Sequence, residues 1–114
     1  MPRPRLCRRV AFQPEVNYFK PAGVRIDYLE ESTLTVEEFE AVRLKDLDGF
    51  EQNDCAKKMR VSQPTFHRVL LSARRKIADA LVNGKGLRIE GGNFKIYGKG
   101  FSRRGSGFGR NGLC

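Results

Sequence analysis

Residues 62 to 84, SQPTFHRVLLSARRKIADALVNG, carry both ends of a helix and the face it buries, and no other feature constrains the fold as tightly. Ser62 belongs to the residue types whose side chain accepts one of the backbone N–H groups left unpaired at a helix start. Pro64 falls in the first turn, where its missing N–H would have had no helical partner. Phe66, Leu70, Ala73, Ile77 and Leu81 follow at spacings of four, three, four and four, forming one apolar stripe. Asn83 and Gly84 supply the stop. The pattern predicts a helix over residues 63 to 82.

Two shorter helices are legible upstream. Thr35 followed three residues later by Glu38 is a capping box, and Glu37 and Glu40 place negative charge where a helix dipole favours it. Apolar Ala41, Val42, Leu44 and Leu47 follow and Gly49 supplies a stop, which predicts a helix over residues 36 to 47. In QNDCAKKM, Cys55, Ala56 and Met59 share the inward face of a second, short helix.

The flanks read differently. Residues 1–10 alternate proline with arginine and are expected as a basic, solvated arm. Residues 11–33 show no regular period and are expected as an irregular packing segment that uses Phe12, Tyr18, Phe19 and Ile26. Residues 34–84 form the helical domain. Within 85–97, LRIEGGNFKIY alternates on both sides of Gly91-Gly92, the pattern of a β-hairpin. That register sets Ile89 opposite Phe94, Leu87 opposite Ile96 and Arg88 opposite Lys95. Residues 98–114 are rich in Gly and Arg and are expected as a flexible tail.

Charge gives the first functional direction. The chain has 22 Lys and Arg against 13 Asp and Glu, a net of +9, and the bases collect at both ends and after Ala56 while the acids crowd before Cys55. That distribution suits a polyanion such as nucleic acid. Three widely spaced cysteines without a C-x-x-C argue against a disulfide framework or zinc module and for reduced thiols in a cytoplasmic protein. No apolar run is long enough to span a membrane.

A short helix, a three- to four-residue turn and a longer basic helix describe a helix-turn-helix. Its close helix crossing needs a small residue, and Ala56 is there; its turn needs an apolar plug, and Val61 is there. At 100 degrees per residue, Pro64, Arg68, Leu71 and Arg75 lie opposite the Phe66 stripe, flanked by His67 and Ser72. Gln63, Pro64, Thr65, His67 and Arg68 are the candidate base readers, since arginine pairs with guanine and glutamine with adenine in the major groove. Ser62, Arg74, Arg75, Lys76, Arg88 and Lys95 are the candidate backbone contacts. Arg3, Arg5, Arg8 and Arg9 are candidate minor-groove contacts of the arm.

The helical stretch over residues 34 to 81 is similar, without a gap, to the helix-turn-helix of bacterial sigma factor region four. MPRPRLCRRV, YFKPAG, EEFEAVRLKDLDG and NGKGLRIEGGNF together resemble the domain of unknown function 134 family of small predicted DNA-binding proteins, over residues 1 to about 94. The resemblance implies a mainly α fold: a sigma region four-like three-helix unit followed by the hairpin. One position departs from the usual pattern, because Arg60 stands where helix-turn-helix units favour glycine in a left-handed turn.

The expected function is sequence-specific binding of double-stranded DNA by a transcriptional regulator, acting as a homodimer because one motif reads only a short half-site. No cofactor, metal or membrane is implied, and any small-molecule effector is unknown. GFGRNG at the C-terminal end matches G-x-G-x-x-G but follows no strand-to-helix turn, so it gives no dinucleotide site. One histidine and scattered cysteines form no catalytic set, and an enzyme is not expected. The competing readings are an RNA- or single-strand-binding protein, suggested by Phe101 and Phe108 in the Gly/Arg tail, and a module that docks on RNA polymerase.

Overall fold

The structure is a computed structural model, and it describes residues 8–11, 14–92 and 94–96. Strand β3 (Glu31–Leu34) runs through Thr35 into helix α1 (Val36–Val42). The capping box is formed: Thr35 Oγ1 accepts the Glu38 N–H at 3.2 Å, and the Glu38 carboxylate accepts the Thr35 N–H at 2.9 Å. Beyond Val42 the helix widens into a π turn over Arg43–Leu47, closed by the Asp48 N–H donating to the Arg43 carbonyl at 2.8 Å. Helix α2 (Gln52–Met59) buries Cys55, Ala56 and Met59 as expected. Helix α3 (Gln63–Asn83) starts at the Ser62 cap and ends at Gly84, whose left-handed φ of 65° an L side chain would resist.

Two clusters of buried side chains meet along α3. Phe66 and Leu70 pack with Ala41, Leu44, Cys55, Ala56 and Met59. One turn further on, Ala73 joins Val10, Leu34, Val36 and Ile89, with Ile77 against its edge. The long helix therefore serves as the shared wall between the other helices and the strands. The expected end of its apolar stripe is corrected: Leu81 is 78% exposed and Ala80 is buried instead. Spacings that alternate four and three keep one face turned inward, and after Ile77 the next inward position is three residues on.

The expected hairpin does not form. Strand β4 (Gly86–Ile89) is central in a sheet, antiparallel to β2 (Tyr18–Phe19) and parallel to β3, with Ser32 opposite Leu87 and Leu34 opposite Ile89. Both of its edges are thus occupied. Strand β5 (Phe94–Ile96) pairs in parallel with β1 (Arg8–Val10), Arg8 opposite Phe94 and Val10 opposite Ile96. The connection between β4 and β5 is spent on the start of α1. Glu90 N–H donates to the Leu34 carbonyl at 3.0 Å, and the Gly91 carbonyl accepts the Val36 N–H at 3.0 Å. Alternation marked both strands correctly, but it carries no information about which neighbour a strand will find.

Two flanking expectations change for the same reason. The end of the arm, expected to be solvated, is strand β1, and Val10 is fully buried between β3, α1 and α3 residues. The irregular segment holds strand β2, a 3-10 turn at Ile26–Tyr28 and strand β3, while Phe19 and Ile26 remain exposed. Phe12 and the tail lie outside the described residues. The architecture is mainly α, three helical segments against small sheets.

Arg60 takes the left-handed conformation anticipated for its position, φ 60° and ψ 47°, the only non-glycine residue among those described with a positive φ. An L residue there is strained by roughly 1–2 kcal/mol, part of which the entropy of a glycine would cancel. Arg60→Gly is expected to raise the unfolding free energy by about 0.5–1 kcal/mol in urea titration, with an unchanged m-value.

Candidate nucleic-acid interface

The turn between α2 and α3 is held by backbone bonds at both ends. Arg60 N–H donates to the Lys57 carbonyl at 3.1 Å and Val61 N–H to the Ala56 carbonyl at 3.0 Å, which satisfies carbonyls a helix end leaves unpaired. Val61 packs its side chain against the Phe66 cluster. Ser62 Oγ then accepts the Thr65 N–H at 3.2 Å and donates to Thr65 Oγ1 at 2.9 Å. The first turn of α3 is consequently fixed with respect to α2.

From that turn Gln63, Pro64, His67 and Arg68 project into solvent, while Thr65 is half-buried. Arg68 rests its guanidinium on Thr65 Oγ1 at 3.4 Å, so Thr65 supports its neighbour and its own hydroxyl is engaged. Gln52, the first residue of α2, brings its amide nitrogen to 3.4 Å from His67 Nδ1. An amide nitrogen can only donate, so in this arrangement a neutral His67 carries its proton on Nε2. Four side chains able to hydrogen-bond thus meet where α2 and α3 begin: Gln52, Gln63, His67 and Arg68.

Further along α3 the candidate backbone contacts separate. Arg74 forms a fork with Asp46 of the π turn, at 3.1 and 2.6 Å, and holds that carboxyl below its ordinary range. Lys76 reaches Glu38 of α1 at 2.8 Å, and Ser72 donates to the same carboxylate at 2.6 Å. Ser32 of β3 donates to the Lys76 carbonyl at 3.1 Å. Only Arg75 of the three consecutive bases is exposed with no ion pair among the described residues. The one acid of α3, Asp79, pairs with Lys85, and the partners of Arg74 and Lys76 come from α1 and the π turn, where the acids crowd.

Among the described residues, the candidate cations Arg8, Arg9 and Arg88 also have partners within the fold. Arg8 pairs with Glu37 at 2.6 Å. Arg88 does not face Lys95; its guanidinium grips Glu31 at 3.0 and 2.8 Å and stacks on the Tyr18 ring at 4.6 Å from the centroid. That grip lowers the Glu31 carboxyl and raises Arg88. Arg9 also has a partner. Arg3, Arg5 and the side chain of Lys95 lie outside the described residues.

Sequence reading missed the buried acids of α1. Glu40 is 1% exposed and takes a fork from Arg43 at 2.9 and 2.8 Å plus the Ala11 N–H at 3.2 Å. Glu38 is pushed up by burial, but hydrogen bonds from Lys76, Ser72 and the Thr35 backbone outweigh this and leave its carboxyl below the ordinary value. A spacing of α1 glutamates on the inward side of the capping box was the available signal. Among the described residues no group of His, Cys, Asp or Glu is arranged to hold a metal ion, and no helix is long and apolar enough to cross a membrane.

The depressed Glu38 value sets a direction for stability with pH. In the window between its folded value and its unfolded value of about 4.3, the unfolded chain binds more protons, so stability falls as pH falls. The contribution is complete above that window. Glu38→Gln keeps a capping side chain and removes the charge, and it is expected to cost about 1–3 kcal/mol at pH 7. The difference between the variant and the parent should shrink as urea denaturation is repeated toward pH 3.

Residues 1–97 match the model of the family described as "Protein of unknown function DUF134". The chain is 61% identical over 93 residues to a UPF0251 protein of Thermoanaerobacter pseudethanolicus, covering 82% of this chain and 79% of that protein. It is 65% identical over 92 residues to a UPF0251 protein of Moorella thermoacetica, covering 81% of this chain and 62% of that longer protein. A UPF0251 protein of Dehalococcoides mccartyi is 60% identical over 92 residues, 81% of this chain and 79% of its own. No solved structure matches the chain.

Proposed function

We propose that this chain, which belongs to the DUF134 family, binds double-stranded DNA in a sequence-dependent manner and regulates transcription, with α2 and α3 acting as a sigma region four-like helix-turn-helix. The observation that carries this reading is the sorting of cations along α3. Arg74 and Lys76 are committed to Asp46 and Glu38, whereas Gln63, His67, Arg68 and Arg75 stay exposed on one face. Bases needed only for solubility would have no reason to be divided in this way.

The dimensions agree with a major groove. Residues 63 to 68 span roughly 7–8 Å of helix axis and fit within a groove about 12 Å wide. There Arg68 is the reader of a guanine edge and Gln63 of an adenine edge, with His67 between them. Thr65 positions Arg68, and Pro64 shapes the helix start. Arg75 is one to two turns further on, where a straight helix approaches phosphate. One such helix covers a short half-site, and a second copy of the chain completes a palindromic site.

Selection of sites from random duplexes, followed by salt titration, tests the proposal. Affinity for the selected duplex should fall linearly in log–log form as salt rises. Arg68→Ala is expected to cost about 1–3 kcal/mol on the selected site and little on unrelated duplex. Arg75→Ala should weaken both alike and flatten the salt dependence by about one phosphate. Equal or tighter binding of single-stranded RNA at the same salt would overturn the DNA reading.

A further inference from the structure

Leu71 stands out on the exposed face of α3. It is 48% exposed, while its neighbour Leu70 is fully buried. It lies one turn beyond His67 and Arg68 and one turn before Arg75, so three polar or cationic side chains that face solvent surround it. An isolated exposed leucine needs no explanation on an ordinary surface. This one interrupts a face whose other members are suited to a polyanion, and Arg75 beside it has no acid partner among the described residues. The surface charge around Leu71 therefore selects against an apolar protein surface and for a nucleic acid.

Resting on the proposed DNA reading, we propose that Leu71 is a specificity-determining residue that packs against the 5-methyl group of a thymine in the major groove. The position fits. Leu71 is eight residues past Gln63, roughly 12 Å along the axis, which is about the width of the groove. The thymine methyl is the one apolar group a base edge offers there, and an aliphatic side chain is its complement. A thymine at this position would lie beside the bases read by His67 and Arg68, toward the phosphate met by Arg75. The ring nitrogens and guanidinium thus read hydrogen-bonding edges, and Leu71 reads a methyl.

Single replacement of each thymine in the selected duplex by deoxyuridine removes only the methyl. One position in the half-site should lose about three- to five-fold in affinity, the worth of one buried methyl. Leu71→Ala should lose a similar factor on the thymine duplex and become indifferent to that replacement, while thermal melting shows an unchanged fold. A methyl effect that persists in Leu71→Ala, or thymine duplexes that tolerate deoxyuridine throughout, overturns the role of Leu71 and leaves the DNA reading standing. Absence of any sequence-dependent duplex binding by the parent protein overturns both.

Discussion

The carboxylate of Glu38 is the point at which this small fold is tied together. It accepts the Thr35 N–H that opens α1, the Ser72 hydroxyl and the Lys76 ammonium of α3. One buried group therefore starts one helix and fixes the rotation of another about its axis. The α3 stripe from Phe66 to Ala80 is buried by that rotation, and the face bearing Arg68 and Leu71 is left outward as its consequence. A buried acid with a single partner would be a costly arrangement; three donors, two of them neutral, make it a stable one.

The same principle sorts the cations. Acids on α1, the π turn and β3, all distant in sequence, take up Arg8, Lys76, Arg74 and Arg88. The wider helical turn at Arg43–Leu47 matters here, because it carries Asp46 to the side of α3 that Arg74 occupies. On α3 this leaves a short exposed patch at the helix start with Arg75 behind it, beside the exposed Lys57, Lys58 and Arg60 of α2 and its turn.

Helices were legible in the sequence because their signals are local. Thr35 with Glu38, Ser62 with Pro64, and Gly84 each act within a turn, and all three boundaries appear where those residues place them. Strand partners were not, because β4 is joined to β3 across more than fifty intervening residues and to β2 across still more. Gly91 and Gly92 do adopt positive φ, as a tight turn would require, yet the chain uses them to pass over the N-terminus of α1. Arg60 shows the reverse case, a conformation that the turn imposes against residue preference. The exposed patch was readable from helical periodicity, whereas the pairing of Arg74, Lys76 and Arg88 was not, since each partner is distant in sequence.

Backbone amide shifts recorded while a selected DNA duplex is titrated into isotope-labelled protein test the central claim most directly. The account predicts that Gln63, His67, Arg68, Leu71 and Arg75 shift together and in proportion to occupancy, with Phe19 and Leu81 unmoved. Shifts confined to Phe19, Leu81 and Val82, or to residues 98 to 114, with the start of α3 unchanged, would contradict it.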